Sequence, residues 1–134
     1  MLRKSSFTGL LLTALFAVVS FCLNKQFHYV EEGGKTWEKA QRYCREKYID
    51  LAFISNQEEK DEVNRISRRD NVWIGLYRAP SPPTEWKWSG GWNSSFRFWG
   101  ENQPNNKLGN QDCVSLWKNE MNDYQCTEQY PILC

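Results

Sequence analysis

Four cysteines constrain this chain more than any other feature of its sequence. They are Cys44, Cys113, Cys126 and Cys134. A zinc site does not fit their spacing, because no two of them lie two to four residues apart and His28 is the only histidine. Disulfides are therefore the better interpretation, and four cysteines allow three different pairings. A fifth cysteine, Cys22, stands apart at the edge of an N-terminal apolar segment.

That N-terminal segment, residues 1–23, has the layout of a secretory signal peptide. Arg3 and Lys4 precede an apolar run that contains no charge and ends near the small residue Ser20. We therefore predict a signal peptide over residues 1–23 and a secreted, extracellular product. Cleavage near Ser20 or near Cys22 fits the pattern equally well, and cleavage before Cys22 would leave one free thiol.

A type II membrane anchor is the alternative interpretation of this segment. Its uncharged stretch, residues 5–23, starts with polar side chains and is marginal against the ~20 apolar residues that a span needs. Aromatic-rich sequence also begins almost at once, at Phe27, which leaves no room for a stalk. We expect one domain over residues 27–134 and no membrane span after signal cleavage.

The charge balance narrows the range of partners. Removing Arg3 and Lys4 from the 17 basic residues leaves 15, against 16 acidic ones, so the mature domain is near neutral. This balance gives no reason to expect nucleic acid as a partner. With 40% apolar residues in the whole chain, the domain can bury a core of its own.

Two helices are predicted in the first half of the domain. Residues 36–48 place apolar side chains at steps of three and four, the stripe of an amphipathic helix, with Thr36 as its N-cap. Ser55 followed by Glu58 is a capping box that is predicted to open a second helix, which runs through Ile66.

Short strand candidates and one long polar loop make up the rest. The strand candidates are residues 51–54, 71–77, 85–91, 112–117, 124–126 and 130–134. Residues 79–84 are predicted to form a Pro-rich loop. Residues 90–111 have little periodicity and are predicted to form a functional loop, anchored by Phe96, Phe98 and Trp99. Helices followed by short antiparallel strands indicate an α+β fold.

Several short motifs occur in an order that is typical of a known family. They are "WIGL" at 73–76, Trp-x-Trp at 86–88, "FWGENQPNN" at 98–106, "DCVSLW" at 112–117, "NDYQC" at 122–126 and a terminal "ILC". Together they resemble the C-type lectin-like domain across residues 27–134. The resemblance implies an α+β C-type lectin-like fold with two helices, short antiparallel sheets, a long functional loop and two disulfides.

The resemblance also implies how the cysteines pair, namely Cys44 with Cys134 and Cys113 with Cys126. The first bond would tie the first helix to the last strand. It would close a loop of about 90 residues, which is worth on the order of 4 kcal/mol in the chain-entropy model. Because the last cysteine of the motif, Cys134, is also the last residue of the sequence, we expect a domain used on its own.

In the sugar-binding members of this family, a loop motif holds a calcium ion that sugar hydroxyls coordinate. The usual motifs are Glu-Pro-Asn for mannose-type and Gln-Pro-Asp for galactose-type ligands, with the proline typically cis, and here the residues are Gln-Pro-Asn. Carried over by position, the implied carbohydrate-binding residues are Gln103, Asn105, Gln111, Asn122 and Asp123. The implied metal ligands are Asn105, Asn122 and Asp123.

This donor set predicts that calcium binding is weak or absent. Calcium takes six to eight oxygens and its affinity follows the number of charged ligands, yet only Asp123 is anionic here. The auxiliary calcium site of the family needs acidic residues in the loop after "WIGL", which residues 77–84 lack, so that site is predicted to be absent. Met121 stands where the family usually has Trp, and a Met can fill an apolar gap.

Other residues have simpler interpretations beside the functional one. Asn93 opens an Asn-Ser-Ser glycosylation acceptor, which is predicted to be exposed. Trp92 and Trp117 are expected to pack at loop edges, with stacking on a sugar ring as the alternative. The other loop and strand tryptophans are predicted to be core residues, namely Trp73, Trp86, Trp88 and Trp99.

Two binding functions follow from the sequence. The leading hypothesis is a carbohydrate-binding lectin domain with calcium dependence weakened or lost, whose partners are glycans or glycoproteins. The alternative is metal-independent binding of a protein or a surface by a lectin-like domain, and the simplest interpretation of the amides is a solvated polar loop. An enzyme is disfavoured because the sequence has no nucleophile beside a histidine and no glycine-rich phosphate loop.

Overall fold

The computed structural model describes residues 25–80 and 85–134. The signal peptide predicted at residues 1–23, with Cys22, lies outside the described residues, and so does most of the Pro-rich loop predicted at 79–84. Within the described ranges, no helix has both the length and the apolar character needed to cross a bilayer.

One mixed sheet and two helices make up the described part of the chain. The strands are β1 (Tyr29–Lys35), β2 (Val72–Arg78), β3 (Trp86–Trp88), β4 (Cys113–Trp117), β5 (Glu120–Tyr124) and β6 (Tyr130–Leu133). The helices are α1 (Trp37–Lys47) and α2 (Gln57–Ile66). The sheet order is β1-β6-β2-β4-β5, with β3 paired to β2. This is the α+β class predicted from the sequence, except that β2 and β6 are paired parallel rather than antiparallel.

Both predicted helices are present, and one begins a residue later than expected. Thr36 caps α1 as predicted, its hydroxyl accepting from the Lys39 N–H at 3.4 Å. Ser55 does not cap α2, so this prediction was wrong. Asn56 is the cap, its Oδ1 accepting from the Glu59 N–H at 2.9 Å, while Glu59 rather than Glu58 reaches back to the N–H of Ser55 at 2.7 Å.

Three strand predictions also need correction. Residues 51–54 are buried apart from the partly buried Phe53, but they are not a strand, since Ala52 bridges two strands by donating to the Leu133 carbonyl at 2.8 Å and accepting from the Gly75 N–H at 2.9 Å. The strand expected at 85–91 ends at Trp88 and continues as a 3₁₀ turn. The strand expected at 124–126 instead runs from 120 to 124, because Lys118 and Asn119 both take positive φ, 50° and 69°, in a tight hairpin turn.

The sheet is stabilised by an apolar core and by two disulfides. Cys44 of α1 is bonded to Cys134 across 90 residues, and Cys113 of β4 is bonded to Cys126 across 13 residues, the pairing that the resemblance implies. Met121 is fully buried within this core. The core includes residues of both helices and the sheet, and aromatic side chains of the long loop pack against it.

The tryptophans divide as their positions in the sequence predict. Trp73 and Trp88 are buried, and Trp86 and Trp99 are partly buried with ring centroids 5.0 Å apart. Trp92, stacked on Phe53 at 6.0 Å, is 55% exposed.

Candidate functional site

Backbone hydrogen bonds to β5 fix the long loop at residues 98 and 100. The Gly100 N–H donates to the Met121 carbonyl at 2.9 Å, and the Met121 N–H donates to the Phe98 carbonyl at 2.9 Å. Phe96, Phe98 and Trp99 pack against the core, as predicted for residues that anchor the loop. The segment from residue 100 to residue 111 is called the binding loop below. Its first residue is therefore hydrogen-bonded to β5.

Gly100 permits a close approach between the binding loop and β5. A Cβ at this position would lie 3.1 Å from Oε2 of Glu120 and 3.2 Å from Oδ1 of Asn122. Any larger residue would push these two side chains away. The start of the binding loop thus lies directly against Asn122, one of the implied site residues.

The carboxylate of Asp123 holds the centre of the binding loop by two hydrogen bonds. Its Oδ1 accepts from the Asn105 N–H at 3.0 Å, and its Oδ2 accepts from the Asn106 N–H at 2.7 Å. The Asp123 side chain is 0% exposed. Hydrogen bonds to a carboxylate are stronger than those between neutral groups, so this one side chain fixes two successive backbone amides.

Side-chain amides close the rest of the binding loop. The Lys107 N–H lies 3.1 Å from Oδ1 of Asn105 and 2.7 Å from Oε1 of Gln111. Oδ1 of Asn106 accepts from the Gln111 N–H at 3.0 Å. Asn106 takes a φ of 45°, which Asn tolerates better than most residues. Asn105, Gln111 and Asp123 are therefore brought into one hydrogen-bonded cluster.

Gln103 and Asn122 lie at the edge of that cluster. The Gln103–Pro104 bond is cis, the Gln103 N–H donates to the Gly100 carbonyl at 3.0 Å, and the residue is half-buried. Asn122 is buried, and its Nδ2 donates to the Glu120 carbonyl at 3.1 Å. Within the described ranges, neither side chain is hydrogen-bonded to the cluster formed around Asp123.

Arg78, which the sequence analysis missed, lies beneath the site at the end of β2. Its Nη2 is 3.9 Å from Oδ2 of Asp123, and its Nε is 3.4 Å from Oδ1 of Asp112. The guanidinium lies over the Trp86 ring, 4.7 Å from the centroid. A charged residue that ends the apolar run "VWIGLY" was the signal available in the sequence.

The charge on Asp123 also acts on a neighbouring phenol. Burial raises the pKa of Tyr124, and the negative charge of Asp123 raises it further, against a smaller opposing effect of a hydrogen bond to Asn71. The phenol therefore stays protonated beside Asp123, and Tyr124 adds no negative charge to the site.

The described surface also carries exposed apolar side chains and a depression. Leu108 of the binding loop is 64% exposed and Trp117 in β4 is 38% exposed. A depression of about 360 Å³ lies between the β1 end and α1, where Lys35, Lys39 and Arg42 line it.

Comparison with known proteins identifies the class to which this fold and site belong. Residues 33–134 match the lectin C-type domain family. The chain is a member of the C-type lectin domain family, whose domains generally bind carbohydrate, often bind calcium and are not enzymes.

Individual relatives are consistent with this membership. The chain is 33% identical to hepatic lectin of Gallus gallus over 110 residues, which are 80% of this chain and 53% of that protein. It is also 30% identical to a C-type lectin of Cerberus rynchops over 111 residues, 75% of this chain and 70% of that protein. The chain thus spans about half of the length of hepatic lectin.

Two solved structures share the fold. The mouse scavenger receptor C-type lectin carbohydrate-recognition domain has a TM-score of 0.73 and 28% identity, covering 83% of this chain and 91% of its own. A calcium-independent type II antifreeze protein has a TM-score of 0.73 and 26% identity, covering 84% of this chain and 87% of its own.

Several oxygens of the implied site already have hydrogen-bond partners within the chain, which weakens the fit to the calcium ion that many family members hold. Both oxygens of Asp123 accept backbone N–H bonds, and the side-chain oxygens of Asn105 and Gln111 accept from one N–H of Lys107. Arg78 already places a cation 3.9 Å from Asp123.

Proposed function

We propose that this protein is a secreted carbohydrate-binding C-type lectin domain whose binding of sugar depends weakly on calcium or not at all. The observation that supports the proposal is the arrangement at Asp123. Its carboxylate holds the Asn105 and Asn106 amides at 3.0 and 2.7 Å, which gives the binding loop its shape through contacts within the chain. A pre-shaped loop requires less ordering when a ligand binds.

The five implied residues have different roles in this proposal. Gln103 is half-buried and Asn105 is exposed, so their amides are available to sugar hydroxyls, which both donate and accept hydrogen bonds. Gln111, Asn122 and Asp123 are buried, and the Asp123 carboxylate holds Asn105 in position by accepting from its N–H. Asn105, Asn122 and Asp123 would also be the ligands of any weakly held calcium.

A glycan array with calcium and with chelator tests the metal dependence. We expect binding to survive chelation with little loss, because the loop is held by Asp123 rather than by a metal. Since Gln103 matches the galactose-type motif and Asn105 matches the mannose-type motif, the array needs both classes of sugar. Binding that disappears completely in chelator would overturn the proposal.

Substitution of Asn105 tests the location of the site. Asn105→Ala should lower the apparent affinity for the best glycan by about tenfold or more, because one amide contact to the sugar is lost. Gln57→Ala is the matched control, since Gln57 is also an exposed side-chain amide that bonds a neighbour, Asp61, at 2.8 Å. If Asn105→Ala lowers the affinity no more than Gln57→Ala does, the sugar binds elsewhere.

Metal-independent binding of a protein or a surface is the second candidate function. Similarity to the calcium-independent antifreeze protein, with 26% identity, favours it. Calorimetric titration with millimolar calcium, run beside the array, separates the two candidates. No calcium uptake together with no glycan signal would favour the protein or surface binder.

The location of the protein and its processing are also proposals. We propose that residues 1–23 are a cleaved signal peptide, with a type II anchor as the alternative, that residues 27–134 form the domain, and that Asn93 carries an N-linked glycan. Asn93 is exposed, as an acceptor must be. Sequencing the N-terminus of protein from culture medium, and comparing wild type with Asn93→Gln after glycosidase treatment, tests these points. An intact N-terminus in the membrane fraction would favour the anchor.

A further inference from the structure

The carboxylate of Asp123 requires a compensating positive charge. Its side chain is 0% exposed, so water does not solvate it. A buried carboxylate is unfavourable unless it is hydrogen-bonded and paired with a cation or a metal. The N–H groups of Asn105 and Asn106 provide the hydrogen bonds but only partial charge.

Arg78 is positioned to provide the full charge. Its side chain is 18% exposed, and its Nη2 lies 3.9 Å from Oδ2 of Asp123. Further contacts fix it in place: its Nε lies 3.4 Å from Oδ1 of Asp112, its own backbone N–H donates to the Asp112 carbonyl at 2.7 Å, and its guanidinium lies over Trp86 at 4.7 Å. The cation therefore belongs to the end of a core strand rather than to a mobile surface side chain.

We propose that the guanidinium of Arg78 supplies, from within the chain, the positive charge that a calcium ion would otherwise supply to Asp123, and so keeps the binding loop in shape without metal. This inference deepens the proposed function and rests on it. Arg78 is a positioning residue, because it acts on the sugar-binding amides through Asp123 rather than by touching the ligand.

The same charge explains why calcium would compete poorly for this site. Arg78 lies between Asp123 and Asp112 and offsets part of their negative charge, and calcium affinity falls as anionic ligands are neutralised. A divalent ion bound to Asp123 would also lie close to the guanidinium, and two like charges at such a distance repel each other. Removing the guanidinium should therefore convert a metal-free site into a calcium-responsive one.

Thermal unfolding of Arg78→Gln in chelator and in millimolar calcium tests the inference. The wild type should show nearly the same Tm in both conditions. Arg78→Gln should have a lower Tm in chelator, and calcium should raise it by at least about 3 °C, because a ligand of the folded form stabilises it. Magnesium, which demands stricter geometry, should restore less. A calcium shift in Arg78→Gln no larger than that of wild type would overturn the inference.

Matched variants separate charge from packing. Arg97→Gln is the control, since Arg97 is also partly buried and lies over a tryptophan, Trp88, at 5.7 Å, and it should gain no calcium response. Arg78→Lys keeps the charge and should also gain none. The double variant Arg78→Gln with Asp123→Asn should lose the response. If Arg78→Gln does not fold in chelator, folding in calcium supports the inference, and failure in both while Arg78→Lys folds overturns it.

The outcome is independent of whether sugar is the ligand. The melting experiments report only calcium and stability, whereas the glycan array reports only sugar. A calcium response in Arg78→Gln with an empty array would keep the role of Arg78 and reject the carbohydrate function. A positive array without a calcium response in Arg78→Gln would keep the carbohydrate function and reject the role of Arg78.

Discussion

The sheet and the binding loop are built from different interactions. In the sheet, Trp73 of β2 and Ile132 of β6 are almost fully buried, and the Cys44–Cys134 bond ties α1 to the chain end. In the binding loop, most residues between 101 and 110 are exposed, and the contacts are hydrogen bonds among amides and one carboxylate. Many apolar contacts determine the sheet, whereas a few polar contacts determine the loop.

The difference shows how a lectin fold can change its ligand without changing its architecture. Loss of one sheet contact leaves many others in place, so the fold tolerates substitutions in the sheet. Loss of one polar contact in the loop leaves a buried group without its partner, which changes the shape of the site at once. Each prediction below tests whether stability resides in the sheet and binding shape in the loop.

Removing the long disulfide should produce the largest effect. Replacing both Cys44 and Cys134 by Ala opens a closure across 90 residues, which is worth about 4 to 5 kcal/mol of unfolding free energy in the chain-entropy model. Replacing both Cys113 and Cys126, which close only 13 residues, should cost about 3 kcal/mol. Denaturant unfolding measures both. Equal losses would mean that native packing, rather than loop closure, sets the contribution of each bond.

Asp123→Asn should have the next largest effect and should affect the loop first. The buried charge that accepts two N–H bonds is lost and the Arg78 cation is left beside a neutral amide, which we expect to cost about 2 to 3 kcal/mol. Hydrogen exchange at the Asn105 and Asn106 amides should accelerate more than exchange in β4. The control is Asp61→Asn on α2, where the carboxylate is near the surface. Uniform acceleration across the domain would show that the loop and the sheet unfold together.

Local patterns predicted the elements that depend on local interactions. The stripe and the Thr36 cap of α1 come from spacing and capping chemistry, and "WIGL" marked β2. β1 was missed because "YVEEGGK" combines two acids with two glycines and has no alternating apolar pattern. It forms a strand only because β6 pairs with it, Tyr29 opposite Leu133, and this partner is about a hundred residues away.

The candidate site could also be predicted only in part, because some of its contacts depend on residues far apart in the sequence. The resemblance supplied Gln103, Asn105 and Asp123 by position, but not the direction in which the carboxylate of Asp123 points. That direction depends on β4, which pairs with both neighbours and places Val114 opposite Asp123 in β5 and Cys113 opposite Tyr77 in β2. Arg78 follows Tyr77, so its proximity to Asp123 results from strand register that no local motif encodes.

Two glycines offer a smaller and sharper test of the comparison. A Cβ on Gly75 in β2 would meet the Ala52 carbonyl oxygen at 3.0 Å, and backbone cannot move aside easily, so Gly75→Ala should cost about 2 kcal/mol. A Cβ on Gly100 would meet the ends of the Glu120 and Asn122 side chains at 3.1 and 3.2 Å, which can rotate, so Gly100→Ala should cost less than about 1 kcal/mol. Glycan binding should show the reverse order, because only the Gly100 variant displaces Asn122. Thermal melts and glycan affinities measured on the same samples test this prediction. If the variant that loses more stability also loses more glycan affinity, the sheet and the binding loop do not have separate roles.

The last predicted effect is absent at neutral pH, because it is a loss of stability in alkali that arises in the sheet. Burial raises the pKa of Tyr130 to about 12, with further contributions from the charges of Glu128 and Tyr124, and its ring packs 4.9 Å from that of Trp73. The folded form therefore holds the phenolic proton more tightly than the unfolded chain, whose tyrosines titrate near pH 10. The stability that results is complete below about pH 10 and is lost as the pH rises toward about 12. Melting curves across this window should fall more steeply for wild type than for Tyr130→Phe, with the exposed Tyr48→Phe as control. Exchange at the Asn105 and Asn106 amides should follow global unfolding there, since Tyr130 contacts the sheet; a selective opening of the binding loop would place the titrating group beside Asp123 instead.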